Sequence, residues 1–129
     1  MVLQKVENTI ATKILDAAFR VPTELGPGLL ETVYESALAW ELTDAGLFVQ
    51  RQHSIPVIYR DVKLGQGFRA DLVIEQKVIV EVKAVDIVPE VAYRVLLAYL
   101  KFSDLRLGIL INFNELHLKD GVRRVARNL

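Results

Sequence analysis

Residues 69–85 read RADLVIEQKVIVEVKAV, where Asp71, Glu81 and Lys83 interrupt what are otherwise the best strand segments of the chain. Taking an unpaired carboxylate or ammonium group out of water costs several kcal/mol, so these charges need partners or a purpose. The segments 68–75 and 78–85 are separated by only a few polar residues, which is the pattern of a hairpin. Opposed residues of an antiparallel pair share a face, so the length of the turn decides which side chains meet. A two-residue turn at Gln76 and Lys77 opposes Asp71 to Val82 and sends Glu81 to the other face. A three-residue turn over 75–77 opposes Ile74 to Val78, Leu72 to Val80, Ala70 to Val82 and Asp71 to Glu81. Only this second register keeps a continuous apolar face of Ala70, Leu72, Ile74, Val78, Val80 and Val82. The opposite face then carries Val73 and Ile79, with Asp71, Glu81 and Lys83 gathered at one end.

Directly opposed carboxylates repel, and a structural sheet relieves that repulsion with Thr or Val more readily than with a second acid. A divalent cation turns the repulsion into attraction. Mg²⁺ and Mn²⁺ favour carboxylate, carbonyl and water oxygens, which strand ends supply without cysteine or histidine. Lys83 shares the face of Glu81 and would polarise or orient a water beside such an ion. Solvated charges at strand ends, or an ordinary Asp71/Glu81/Lys83 ion-pair cluster, are the other reading of the same spacing.

The surroundings of this hairpin are helical on one side and mixed on the other. Val6, Ile10, Ile14, Ala17, Ala18 and Val21 follow a helical spacing that Pro22 is expected to stop, giving a first helix ending near Val21. After the turn TELGPG, a second helix is expected over 29–45, closed by Gly46. Residues 49–59 read as a strand that Pro56 confines to an edge or an irregular start, and DVKLGQG reads as a turn. Pro89 and Glu90 open a third helix through 91–102. LRLGILINF, 105–113, is apolar enough for a strand covered on both faces, and 114–129 reads as a short strand or turn with a basic tail. Helix, helix, three strands, helix, strand makes an α/β fold, a mixed sheet flanked by helices, expected as one domain over 1–129.

Composition narrows the functions available. The 16 Lys and Arg balance the 16 Asp and Glu, so net charge alone does not call for a nucleic acid or an anionic membrane. The absence of cysteine excludes disulfides, thiolate metal sites and cysteine nucleophiles. The N-terminus lacks the pattern of a leader, and no segment has the length of a membrane span, so a cytoplasmic, membrane-free setting is expected.

At this point the chain resembles a known family, the small proteins named for a G-x-x-E-x-x-Y signature within the restriction-endonuclease-like, or PD-(D/E)xK, nuclease superfamily. The signature stands as Gly28, Glu31 and Tyr34 in LGPGLLETVYESAL, followed by RADLVIEQKVIVEVKAV, LLAYLK and LRLGILINF in order. The resemblance implies a restriction-endonuclease-like core and a phosphodiesterase dependent on Mg²⁺ or Mn²⁺. By position, Asp71 matches the first metal-binding acid, Glu81 the second and Lys83 the lysine of the ExK element. Glu31 matches the acid that completes such sites, and the Val82 carbonyl joins the metal ligands. The implied partner is nucleic acid, DNA ahead of RNA, and a homodimer is the family-level expectation. Ala70 stands where the superfamily motif has proline. Related proteins carry a glutamine near Val95, a His-Glu pair at Ala92 and Tyr93, and a histidine at Pro22. These departures imply a second reading, a nuclease-fold module that binds or assembles without hydrolysis.

Other residues complete the expected site. Tyr34, three residues after Glu31, lies on the same side of its helix, where its hydroxyl would orient Glu31, contact phosphate or simply pack. Arg69, beside the acid, would aim at phosphate or pair with Asp71. Arg123 and Arg124, with Lys119 and Arg127, form a basic stretch suited to a phosphate backbone or to plain solvation. His53 and His117 lack a nearby second histidine and read as packing or surface residues.

Overall fold

The computed structural model describes residues 5–65 and 67–129; residues 1–4, part of the N-terminus inspected for a leader, and Gln66 of the DVKLGQG turn lie outside it. The first helix, α1 (Val6–Leu25), buries Ile10, Ala11, Ile14, Ala17, Ala18 and Val21 on one stripe. It does not stop at Val21. Proline removes one intrahelical donor, but here the helix continues past Pro22 and ends where Gly26, at φ 75, donates its N–H to the Pro22 carbonyl. α2 (Glu31–Asp44) buries Tyr34, Leu38 and Leu42 at helical spacing and packs beside α1, with Arg20 bonded to Glu41 at 2.9 Å.

The expected first strand divides into two. β1 (Val49–Ile55) ends at Pro56, which has no N–H to give a ladder, and the chain then makes a separate hairpin of β2 (Ile58–Tyr59) and β3 (Val62–Lys63). Arg60 and Asp61, at φ 49 and 64, form its two-residue turn, so the segment expected as a plain turn contributes a strand. β4 (Phe68–Ile74) and β5 (Val78–Lys83) follow, then α3 (Glu90–Ser103) and β6 (Leu107–Asn112). One turn of 3-10 helix, Leu118–Gly121, leads into β7 (Val122–Ala126), which makes the expected short last strand an edge of the sheet.

The main sheet has the order β1-β4-β5-β6-β7, with β5 and β6 parallel and the other neighbours antiparallel. α1 and α2 cover one face, over Leu72, Ile74, Val78, Val80, Val82, Leu107, Ile109 and Ile111. The other face carries α3, whose Leu96 and Leu100 meet Val73, Ile79 and Leu110. β6 is therefore buried along its whole length, as its uninterrupted apolar sequence requires. This is a mixed α/β sheet of the restriction-endonuclease-like kind. Among the described residues no helix is long and apolar enough to cross a membrane.

α3 sits close to the sheet because β6 carries Gly108 beneath it. A Cβ at that position would lie 2.8 Å from both Cγ and Cδ1 of Leu96, a side chain with no room to retreat. Gly108→Ala is expected to destabilise the fold by about 1–3 kcal/mol. Leu96→Ala in the same chain should recover part of that loss, read from denaturant midpoints of the two single variants and the double. Strict additivity would show that the two residues do not press on each other.

Candidate functional site

The hairpin adopts the three-residue turn, with Ile74–Val78, Val73–Ile79 and Leu72–Val80 as partners. Glu75 and Gln76 both take φ 54 in that turn. The pairing stops at Leu72–Val80, so the expected Asp71–Glu81 and Ala70–Val82 rungs are absent. Beyond this point β4 stays with β1 through His53–Ala70, Ser54–Arg69 and Ile55–Phe68, while β5 stays with β6 as far as Lys83–Asn112. The sheet forks at Asp71 and Glu81.

The backbone shows how the fork arises. Glu75 donates its N–H to the Phe48 carbonyl at 2.8 Å, so the two-residue period of a strand directs the Asp71 N–H towards β1 as well. It points the other way and donates to Glu81 Oε1 on β5 at 3.2 Å. Gln52, the residue that would oppose Asp71 on β1, is absent from the ladder and takes φ 48. The alternation of β4 changes phase at the same place. Phe68 and Ala70 pack with the α3-side cluster, whereas Leu72 and Ile74 face α1 and α2, so Ala70 leaves the apolar face on which it was expected.

The two carboxylates fill the backbone positions that the fork vacates. Val82 donates its N–H to Asp71 Oδ2 at 2.8 Å, replacing the Ala70 carbonyl a regular ladder would supply. Glu81 is 8% exposed. Burial first, and then the charge of Asp71, push its carboxyl up to about 9, with Lys83 opposing the shift. Lys83 is half-buried at the end of β5 and makes no ion pair within 4 Å among the described residues.

Glu31 reaches this region from α2. It is the first residue of the helix, where a carboxylate favours the helix dipole, and its Oε2 accepts the Ala84 N–H at 3.2 Å just past β5. Tyr34 sets the approach. Its hydroxyl donates to the Gly26 carbonyl at 2.7 Å and accepts the Leu29 N–H at 3.3 Å, while its ring stacks on Phe113 at 5.0 Å. With 1% exposure and its hydroxyl engaged, Tyr34 pins the GPG turn, where Gly26 and Gly28 take positive φ.

The expected basic patch is divided. Arg123 pairs with Leu110 on the α3 side, lies over the Tyr93 ring at 3.8 Å and reaches Glu90 at 3.5 Å. Arg124 pairs with Ile109 on the α1 side and donates to Asn8 Oδ1 at 2.6 Å. Adjacent residues of a strand point to opposite faces, so the two arginines cannot act as one patch. Arg69 is exposed on β4 and makes no ion pair within 4 Å among the described residues.

Three residues near the fork had no functional reading in the sequence. Glu35, one helical turn after Glu31, is buried and bonds Arg51 at 3.0 Å and Gln52 at 2.7 Å. Gln52 also reaches Asp71 Oδ1 at 3.5 Å. Tyr99 rests on Phe68 at 4.9 Å, and burial, then the charges of Glu81 and Asp71, raise its hydroxyl above the usual range. The i, i+4 relation of Glu31 and Glu35 was a usable signal; Tyr99 was indistinguishable from the apolar stripe of its helix. Val95 lies one turn before Tyr99 and is 40% exposed, while Ala92 and Tyr93 pack against the α3-side core.

A family profile of the PD-(D/E)XK nuclease superfamily matches residues 8–125. The chain belongs to that superfamily, whose members generally use divalent metals. Searches of curated proteins and of solved structures return no significant match.

The donor set fits a hard divalent cation. Two carboxylates converge where backbone pairing opens, with no sulfur or imidazole among them. Among the described residues no three His, Cys, Asp or Glu side chains cluster as a ready metal cage, and one of the two Glu31 carboxylate oxygens accepts the Ala84 N–H.

The buried acid makes metal-free stability depend on pH. The folded pKa of Glu81 lies above its unfolded value, so its contribution is whole below the ordinary carboxylate range and is lost as pH rises towards about 9. Thermal unfolding of the metal-free protein is expected at lower temperature at pH 8 than at pH 5. Glu81→Gln keeps the acceptor for the Asp71 N–H and should flatten this dependence; an unchanged slope would place its source elsewhere.

Proposed function

We propose that the chain hydrolyses phosphodiester bonds of nucleic acid with Mg²⁺ or Mn²⁺, DNA being the substrate to try ahead of RNA. The observation that supports this most is the fork, where Asp71 and Glu81 converge and Lys83 stands beside them on β5. Asp71, Glu81 and the Val82 carbonyl would hold the ion, with Glu31 released from Ala84 to complete its shell or hold a bridging water. The ion supplies charge that favours ionisation of the attacking water and offsets negative charge building on the phosphate. Lys83 hydrogen-bonds and orients that water and adds positive charge beside the phosphate oxygens. Arg69, exposed two residues before Asp71, is the side chain we assign to the substrate backbone. Gly28, Glu31 and Tyr34 support a finer placement among the G-x-x-E-x-x-Y proteins, acting in the cytoplasm as one domain. Exposed Leu30, just before α2, and Trp40 on it, at 75% and 63%, suit a homodimer.

A second reading has its own observation. The face of α3 that carries Tyr99 towards the carboxylates presents Val95 one turn away, and Arg123 is occupied by Tyr93 and Glu90. With so little polar support around the acids, the fold would serve as a nucleic-acid-binding or assembly module without hydrolysis.

Cleavage assays on single-stranded and duplex DNA and on RNA, with Mg²⁺ or Mn²⁺, separate the two. Asp71→Ala, Glu81→Ala and Lys83→Ala are each expected to lower the rate by about 10²–10³-fold, with folding retained by circular dichroism. Cleavage indifferent to all three would exclude this site as its source. No cleavage of any substrate, together with nucleic-acid binding that survives EDTA, would favour the second reading.

A further inference from the structure

We propose that Gln52 is the positioning residue of the fork: its side-chain amide, anchored on Glu35, presents the Asp71 carboxylate to the cation. The proposal rests on the metal reading of the site for its consequence, but the hydrogen-bond relay stands on geometry. Gln52 Nε2 lies 2.7 Å from Glu35 Oε1 and 3.5 Å from Asp71 Oδ1. Both neighbours are acceptors when ionised, so only the amide's two-hydrogen end can face them. One hydrogen is committed to Glu35, and the second is directed to Asp71.

Glu35 is the base of this relay and not a further ligand. It is 6% exposed, and its other oxygen takes the Arg51 guanidinium at 3.0 Å, which itself is fixed by Ser36 Oγ at 2.8 Å. Both oxygens are therefore spent, unlike those of Glu31, one turn earlier on the same helix face. The two acids of α2 divide the work: Glu31 is available to the site, and Glu35 holds the residue that orients it.

The backbone gives an independent reason to single out Gln52. It takes φ 48 inside a strand, where a residue other than glycine stores strain, at the one place the β1–β4 ladder skips a rung. That turn of the main chain directs its side chain back to Asp71. With Oδ1 steered by Gln52 and Oδ2 accepting the Val82 N–H at 2.8 Å, the Asp71 carboxylate is held in one orientation before any ion arrives. Fixing a ligand through a hydrogen-bonded outer partner is a general means of tuning metal affinity.

Gln52→Met keeps side-chain length and removes both donors. Amide hydrogen exchange by NMR reads the relay without metal, as the ratio of exchange at Val82 to that at Val80, the next amide on the same edge of β5. The ratio is expected to rise about tenfold or more in Gln52→Met and in Glu35→Ala, and to stay near wild type in Glu35→Gln, which keeps an acceptor. Mn²⁺ affinity by calorimetry is expected to fall about tenfold or more in the first two variants. Should Gln52→Met fail to fold, Glu35→Ala reads the same ratio from the helix side. A wild-type ratio in the folded variants overturns the proposal and leaves the nuclease reading standing. If wild-type protein shows no Asp71-dependent Mn²⁺ uptake, the metal reading falls instead, and the exchange ratio alone upholds or overturns the relay.

Discussion

Two carboxylates standing in for backbone carbonyls hold the centre of this molecule open. A continuous sheet satisfies each N–H with a carbonyl of the neighbouring strand, and a buried N–H left without one costs free energy comparable to a lost hydrogen bond. Where β4 and β5 part, Asp71 accepts the Val82 N–H and Glu81 accepts the Asp71 N–H. The fork is thereby satisfied without bringing the strands together, and the same atoms are left in position for a ligand. Everything around the fork follows from this: β4 turns its alternation, Gln52 takes up strain, and each strand keeps its other neighbour.

Holding two acids together in a buried corner has an electrostatic cost. The rise of Glu81 to about 9, driven first by burial and then by the charge of Asp71, expresses that cost. A cation relieves the same repulsion, so the feature that weakens the metal-free protein is the one that favours an ion. Stability and function pull in opposite directions at such sites. The surrounding core offsets the cost, with β5 buried as far as Val82 and β6 throughout, between α1 and α2 on one side and α3 on the other.

Much of this was legible from the hairpin. The three-residue turn followed from the demand for one unbroken apolar face, and the structure has that register from Leu72–Val80 to the turn. β6 was evident because a strand covered on both faces must be apolar throughout. The limits of the reading have equally physical causes. Pro22 was expected to end α1, but one missing donor is a local loss, and the helix runs on to Leu25 and closes through the Gly26 N–H on the Pro22 carbonyl. Pro56 did break β1, because it has no N–H to give the ladder. Whether Tyr34 packs or faces the site, and whether Arg123 and Arg124 act together, was left open because helix phase and strand alternation say which face a residue occupies, while the partner waiting there comes from another element. Glu35 and Gln52 went unread for the same reason: their bond links residues on α2 and β1 that only packing brings together.

By itself the sequence determined the periodicity of each element, the register of the central hairpin and the presence of Asp71, Glu81 and Lys83 near its end. These are local matters, decided by side-chain alternation and by turn length. Tertiary structure alone decided that the hairpin opens at its charged end, that Glu31 turns to the end of β5 while Glu35 turns to Gln52, and that Arg123 and Arg124 face apart. Each depends on which strand or helix lies alongside, and hydrogen bonds of about 3 Å discriminate distances that spacing along a chain does not encode.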